Sequence, residues 1–457
     1  MVEIRVLAPT GMLGTGFSEV SFWQAFEKFD PHFIGCDAGS TDSGPDKLGT
    51  GKCQFSRPAC KRDLRLMVLA ARRYGIPLLV GSAGTAGADP NLAWLSDIVA
   101  EIAREEGLHF RLALIHAEQD RSYLKRRLRE GRIRPLEPAP ELTEAVIDRS
   151  EHIVGMMGSE PFVKALDGGA DVVLAGRSSD TSIYAAIPMT KGFPPGLVWH
   201  AAKILECGAA AVVRRSAPDG MIAWIRSDHF VLEPVNPTMV CSPVSVAAHT
   251  LYENGSPYIL HEPSGHLDTS DATYEAVSDR AVKVSGSRFV QGDQYTVKLE
   301  GAEKVGYQTI VVAGVRDPLI IAQIDDWLAE VRERAERRAN EFLAGSSSSS
   351  YSIHFRVYGK NGVMGALEPV REVRGHELCL IIEVTASTQE HATGIAASTA
   401  HIAVHNPIPQ WTGLITGLAF PHAPQEIERG AVYRFNMNHL VFPDDPCEMF
   451  PIEHVQL

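Results

Sequence analysis

Three glycine- and hydroxyl-rich stretches hold most of the groups able to do chemistry. The first, Gly35-Cys36-Asp37-Ala38-Gly39-Ser40-Thr41-Asp42-Ser43-Gly44-Pro45, brings together two carboxylates, three hydroxyls and three glycines. Asp37 and Asp42 offer acid/base groups, Ser40 and Thr41 offer hydroxyl donors, and the glycines expose backbone N–H groups. The second stretch, Gly81-Ser82-Ala83-Gly84-Thr85-Ala86-Gly87-Ala88-Asp89, is small enough at Gly81, Ser82, Gly84 and Thr85 for an anion to approach backbone amides at a helix N-terminus. It is neither a G-x-G-x-x-G nor a P-loop, because no lysine stands at the required offset. The third is Gly176-Arg177-Ser178-Ser179-Asp180-Thr181-Ser182. There Arg177 can clamp a carboxylate or phosphate bidentately, Ser178 can donate, and Asp180 can orient the arginine or act as a base. Asp and Ser side chains in such loops also cap their own backbone, which is the plainer use of the same residues.

Other side chains give weaker signals. Cys36 or Ser40 is an alternative nucleophile, although no local basic partner supports it, with Arg57, Lys61 and Arg62 some distance along the chain. His249, His261 and His266 stand among acids, but without helical ligand spacing and with Pro263 and Gly265 between them. His401 and His405 share a helix face at i, i+4 without an HExxH glutamate. Seven scattered cysteines with no C-x-x-C suit neither an iron–sulfur cluster nor a disulfide framework. No metal and no cofactor is expected, and the thiols read as reduced, which implies the cytoplasm.

The elements that must position these loops follow from hydrophobic periodicity. Ile4–Ala8, Phe33–Gly35, Pro77–Val80, Leu112–Ile115 and Asp171–Ala175 read as strands. Between them Phe22, Trp23, Phe26 and Phe29 recur at helical spacing, as do Leu64, Met67, Val68 and Ala71. Asp89-Pro90 opens a further helix, to about Glu106. Alternating strands and helices predict an α/β domain over residues 1–210, with a mainly parallel sheet and flanking helices. Each candidate loop follows a strand, so all three should meet at the carboxyl edge of that sheet, in one cleft. Residues 211–345 read as a β-richer second lobe, with strands at Val212–Arg215, Met221–Ile225, Tyr295–Leu299 and Thr309–Val312. The serine run Ser346–Ser350 reads as a linker, and 351–457 as a C-terminal α+β domain whose helix starts after Thr388.

A chain of 457 residues, 45% apolar and 22% charged, can bury a large core. The net charge of −13 repels phosphate backbones and anionic lipid, which excludes nucleic-acid and membrane-surface roles as readings. No apolar run approaches the ~20 residues needed to cross a bilayer. A local cluster of donors can still hold a small anionic metabolite or an acyl thioester, and a homo-oligomer is expected.

Taken in order, the 35–45 run, Ala175-Gly176-Arg177-Ser178-Ser179-Asp180, and the stretch from His249-Thr250-Leu251-Tyr252-Glu253-Asn254 to Asp268-Thr269 resemble the acyclic terpene utilisation family. The resemblance implies a bacterial catabolic setting and assigns no catalytic residue. Longer members close with a ferredoxin-like domain carrying Arg-Ser-Gly-Asp-Lys-Gly. This chain instead closes with Phe435-Asn436-Met437-Asn438-His439 and Asp444-Asp445-Pro446, which implies a small, separately encoded partner subunit. The reading that unites loops and resemblance is lyase-type hydration or dehydration, with Asp37, Asp42 and Asp180 as acid/base groups and Arg177 as clamp. A Cys or Ser hydrolase or transferase, and a non-catalytic pathway scaffold, stand as alternatives.

Overall fold

Short apolar runs become the middle of a ten-stranded sheet. The computed structural model describes residues 2–344, 350–410 and 416–457. Ile4–Ala8, Phe33–Asp37, Leu78–Gly81, Val172–Ala175 and Arg111–Ile115 lie side by side in that order, all parallel. On the outer side of Ile4–Ala8 the sheet continues antiparallel through Met221–Ile225, Phe230–Pro234, Val282–Ser285 and Thr273–Ala276. On the other side Ile452–Gln456 pairs antiparallel with Arg111–Ile115. The class is therefore α/β with a mixed sheet: parallel at its centre, antiparallel at both flanks. Two hairpins, Met221–Ile225 with Phe230–Pro234 and Thr273–Ala276 with Val282–Ser285, supply part of this difference, since strands joined by short turns must run antiparallel. The other antiparallel pairs join strands distant in sequence.

Alternate residues of the central strands feed two cores. Leu7, Ile34, Val80 and Leu174 pack under the helices Glu19–Phe29, Arg57–Tyr74 and Asp89–Glu106. Val6, Phe33, Leu79 and Val173 face the helices Glu160–Asp167, Asp180–Thr190 and Pro195–Leu205. The helix Asp180–Thr190 comes unusually close, and glycine permits it. A Cβ at Gly35 would lie 2.5 Å from the Tyr184 ring, and one at Gly81 would lie 2.4 Å from Ser178 Oγ.

The chain divides into two compact units, residues 1–303 with 435–457, and residues 304–434. The boundary expected near residue 210 does not coincide with this division, because the strands after it extend the first sheet. Val212–Arg215 forms only an isolated bridge at Val212, and the strands expected at Tyr295–Leu299 and Thr309–Val312 are one continuous strand, Val297–Val315. In the second unit Tyr307–Val315 and Tyr351–Tyr358 each pair antiparallel with Leu378–Ala386. The helices Ile324–Phe342 and Gln389–Val404 supply Trp327, Val331, Ile395 and Ala400 to their common core. Apart from Ser350, the serine linker lies outside the described residues. Among the described residues no helix is long and apolar enough to cross a membrane.

Candidate functional site

Backbone hydrogen bonds join the three candidate loops at the carboxyl edge of the parallel strands. Ala38 N donates to Gly81 O at 3.0 Å, Ser82 N to Gly176 O at 3.0 Å, and Arg177 N to Gly87 O at 3.2 Å. The loop Leu13 occupies joins them, its N donating to Asp37 O at 2.8 Å. The middle loop holds unusual conformations: Ser82 and Thr85 have φ of 49° and 86° despite carrying side chains. Strain of this kind persists only where surroundings over-determine it. Here Gln54 N donates to Thr85 Oγ1 at 2.9 Å, and a Cβ at Gly39 would meet Thr85 Cα at 2.5 Å. Gly87 is required outright, since a Cβ there would sit 2.1 Å from Arg177 N.

That braid fixes Arg177. Its Nε donates to Glu300 Oε2 at 2.8 Å; its Nη1 donates to Ser178 O at 2.7 Å, Ser82 Oγ at 3.1 Å and Asp180 Oδ1 at 3.3 Å. Nη2 has no hydrogen-bond partner among the described residues, and Arg177 lines a cleft of about 650 Å³. Lys298 lines it too, its Nζ 2.7 Å from Glu300 Oε1. Burial opposes charge on Glu300, but Arg177 and Lys298 outweigh it and hold the carboxyl at about 2. Two cations thus share Glu300, and Arg177 also pairs with Asp180. Ser40, Thr41, Asp42, Asp180 and Glu253 line the same cleft.

Burial raises the carboxyls of Asp180, Asp37, Glu206 and Glu262. Burial raises the Asp180 carboxyl, against the pull of Arg177 and Lys203. Burial, reinforced by Asp180, pushes Asp37 well up, even though Gly39 N donates to its Oδ1 at 3.2 Å. Glu206 is pushed up to about 8 by burial, although Lys203 Nζ lies 2.6 Å away, and Glu262 to about 7. Both oxygens of Glu262 accept hydroxyls, from Ser179 at 2.6 Å and from Thr181.

Of the residues singled out in the sequence, Ser40, Thr41, Asp42, Arg177 and Asp180 line the cleft. Asp37, 5% exposed, is not among the lining residues. Gly81, Ser82, Gly84, Thr85 and Ser178 are buried and support the cleft from beneath; Ser82 Oγ accepts from both Arg177 and Ser178 N. Asp89 is the first residue of its helix: Ala88 precedes it, Asn91 Oδ1 accepts from Ala88 N, and Asp89 Oδ1 meets His116 Nδ1 at 2.8 Å. Cys36 is fully buried, its thiol pushed well up by burial, so it offers no accessible thiolate. Lys203, Glu206, Glu262, Lys298 and Glu300 were not anticipated. A signal exists for the first two: they are the charged pair at the end of Pro195–Leu205, an otherwise apolar helix buried all round. Ionisable groups in such a helix belong to a site more often than to a surface.

Residues 54–212 and 229–431 match the family model described as acyclic terpene utilisation family protein AtuA. The chain belongs to the acyclic terpene utilisation family. No curated protein matches it, and no solved structure does. The matched segments of this family member contain Arg177, Asp180, Lys203, Glu206, Glu262, Lys298 and Glu300. The 35–45 loop, with Ser40, Thr41 and Asp42, lies ahead of them, as residues 435–438 lie beyond.

Proposed function

We propose that the protein is a lyase of catabolism that adds water to, or removes it from, a small carboxylate or acyl thioester. The observation that carries this reading is Asp180, a carboxyl raised by burial, lining one cleft with Arg177 and Lys298 and 3.3 Å from Arg177 Nη1. Adding water to a double bond conjugated with a carbonyl delivers a proton to the α-carbon and hydroxide to the β-carbon. Negative charge then collects on the carbonyl or carboxylate oxygen. Arg177 Nη2 and Lys298 Nζ meet that charge, the interaction that usually contributes most to such catalysis. Asp180 gives the proton to carbon, and Asp42, hydrogen-bonded by Ser40 Oγ, takes one from the attacking water. Elimination runs the same steps in reverse. Asp42 raises Asp180, and an ionised Asp180 in turn makes Asp37, Glu206 and Glu262 harder to ionise.

The reading is tested by presenting 2-enoyl and 3-hydroxyacyl carboxylates and thioesters to the purified protein. The ultraviolet absorbance of the conjugated double bond reports both directions. Turnover that disappears in Lys298→Met supports the assignment; no turnover with any member of the panel refutes it.

A further inference from the structure

A second cleft adjoins the first, and Lys298 belongs to both. It has a volume of about 470 Å³ and a wall that is mostly carbon, built by Leu136, Met156, Pro263 and Leu440, with Gly265 and Gly292 also lining it. That size is typical of a small-molecule site, and concave, apolar sites of this kind usually take the hydrophobic part of a ligand. Its placement follows from strand pairing. Met156 is the antiparallel register partner of Lys298, so their side chains stand on the same side of the pair, with Nζ reaching Glu300. Leu440 pairs with Arg134, which brings Leu136 alongside it. Glu262 is the only acid on this wall, and both its oxygens are occupied by the Ser179 and Thr181 hydroxyls. No carboxylate is left bare against an apolar guest.

We infer that this cleft holds the hydrocarbon chain of a substrate whose carboxyl or thioester head lies against Arg177 and Lys298. The inference rests on the reading of the first cleft as the head-group site and adds to it a substrate class: acyl groups with an extended apolar chain, rather than short polar hydroxy acids. Continuity through Lys298 is the reason for choosing a chain over any separate occupant. Lys298 lines both clefts, and a 470 Å³ concavity is ligand-sized rather than a protein-docking face. The hairpin Ile259–Glu262 with Gly265–Asp268 forms one side, and its His261 and His266 rings, 5.8 Å apart, stand at the cleft as polar residues about the apolar wall.

The test is a calorimetric titration of the full chain with straight-chain carboxylates from butanoate to decanoate. Each methylene buried at ~0.8 kcal/mol should tighten Kd about fourfold until the cleft is full, after which affinity levels off. Leu440→Trp and Met156→Trp, on different strands, should each move that limit to a shorter chain while leaving butanoate binding as it was. Affinities that do not change along the series in the wild-type protein overturn the inference. So does a rise with chain length that both tryptophan variants leave untouched. Butanoate binding that is lost in Lys298→Met while the series stays flat would sink the chain inference alone and keep the head-group site. Absence of binding at every length removes both.

Discussion

Glu300 Oε2 accepts from Arg177 Nε at 2.8 Å, and neither side chain is more than 7% exposed. This pair determines which part of Arg177 a ligand can meet. With Nε and Nη1 tied to the protein, Nη2 is the edge presented to the cleft. Removing one member of such a pair leaves a buried charge uncompensated, so Glu300→Gln should cost about 3–5 kcal/mol of stability at neutral pH. The sign with pH follows from the carboxyl being held at about 2 instead of 4.5. Its stabilisation is complete above the unfolded value and is lost as pH falls toward 2. The deficit of Glu300→Gln in chemical denaturation should therefore shrink below pH 4.

Glu206 titrates in the opposite sense. Burial raises its folded value to about 8, so the folded state holds a proton that the unfolded state releases above 4.5. The stability it contributes is present below pH 4.5 and is lost as pH rises to 8. Glu206→Gln should melt close to wild type at pH 5 and above it at pH 9. A variant that is less stable at both values would mean that the ion pair with Lys203, at 2.6 Å, dominates.

The cysteines should differ sharply in reactivity. Cys53 is half-buried, its thiol brought down to about 6 by hydrogen bonding from Cys60, against burial. Cys36 is fully buried with its thiol pushed up. Thiolates react and thiols do not. Mass spectrometry after brief iodoacetamide treatment at pH 7 should find Cys53 labelled first and Cys36 unlabelled until the protein unfolds. Cys36→Ser should leave turnover intact; its loss would revive a cysteine nucleophile.

The positions of the loops were legible in the sequence, because each follows an apolar run that becomes a parallel strand. Asp37, Gly81 and Ala175 end those strands, and Arg177 with Asp180 does reach the cleft. What the sequence could not reveal lies in pairing over long separations. Met221–Ile225 has the same local pattern whether it begins a new lobe or extends the first sheet. Lys298 and Glu300 sit on a strand more than 120 positions beyond Arg177 and look there like ordinary alternating polar residues. Asp37 and Thr85 show the other limit: residue type signals chemistry, but burial decides whether a ligand can touch it.

The most direct test of the proton-donor role of Asp180 is deuterium incorporation. The wild-type protein and Asp180→Asn are incubated in heavy water with an acyl substrate carrying a 3-hydroxyl or a 2,3-double bond, and deuterium at the α-carbon is followed by mass spectrometry. Asparagine resembles a protonated carboxyl in shape, so the variant should melt within about 1 kcal/mol of wild type. The expected result is exchange by the wild type and a rate slower by about 10²–10⁴-fold in the variant. Exchange at an equal rate in a folded Asp180→Asn, or none in the wild type, would contradict the assignment.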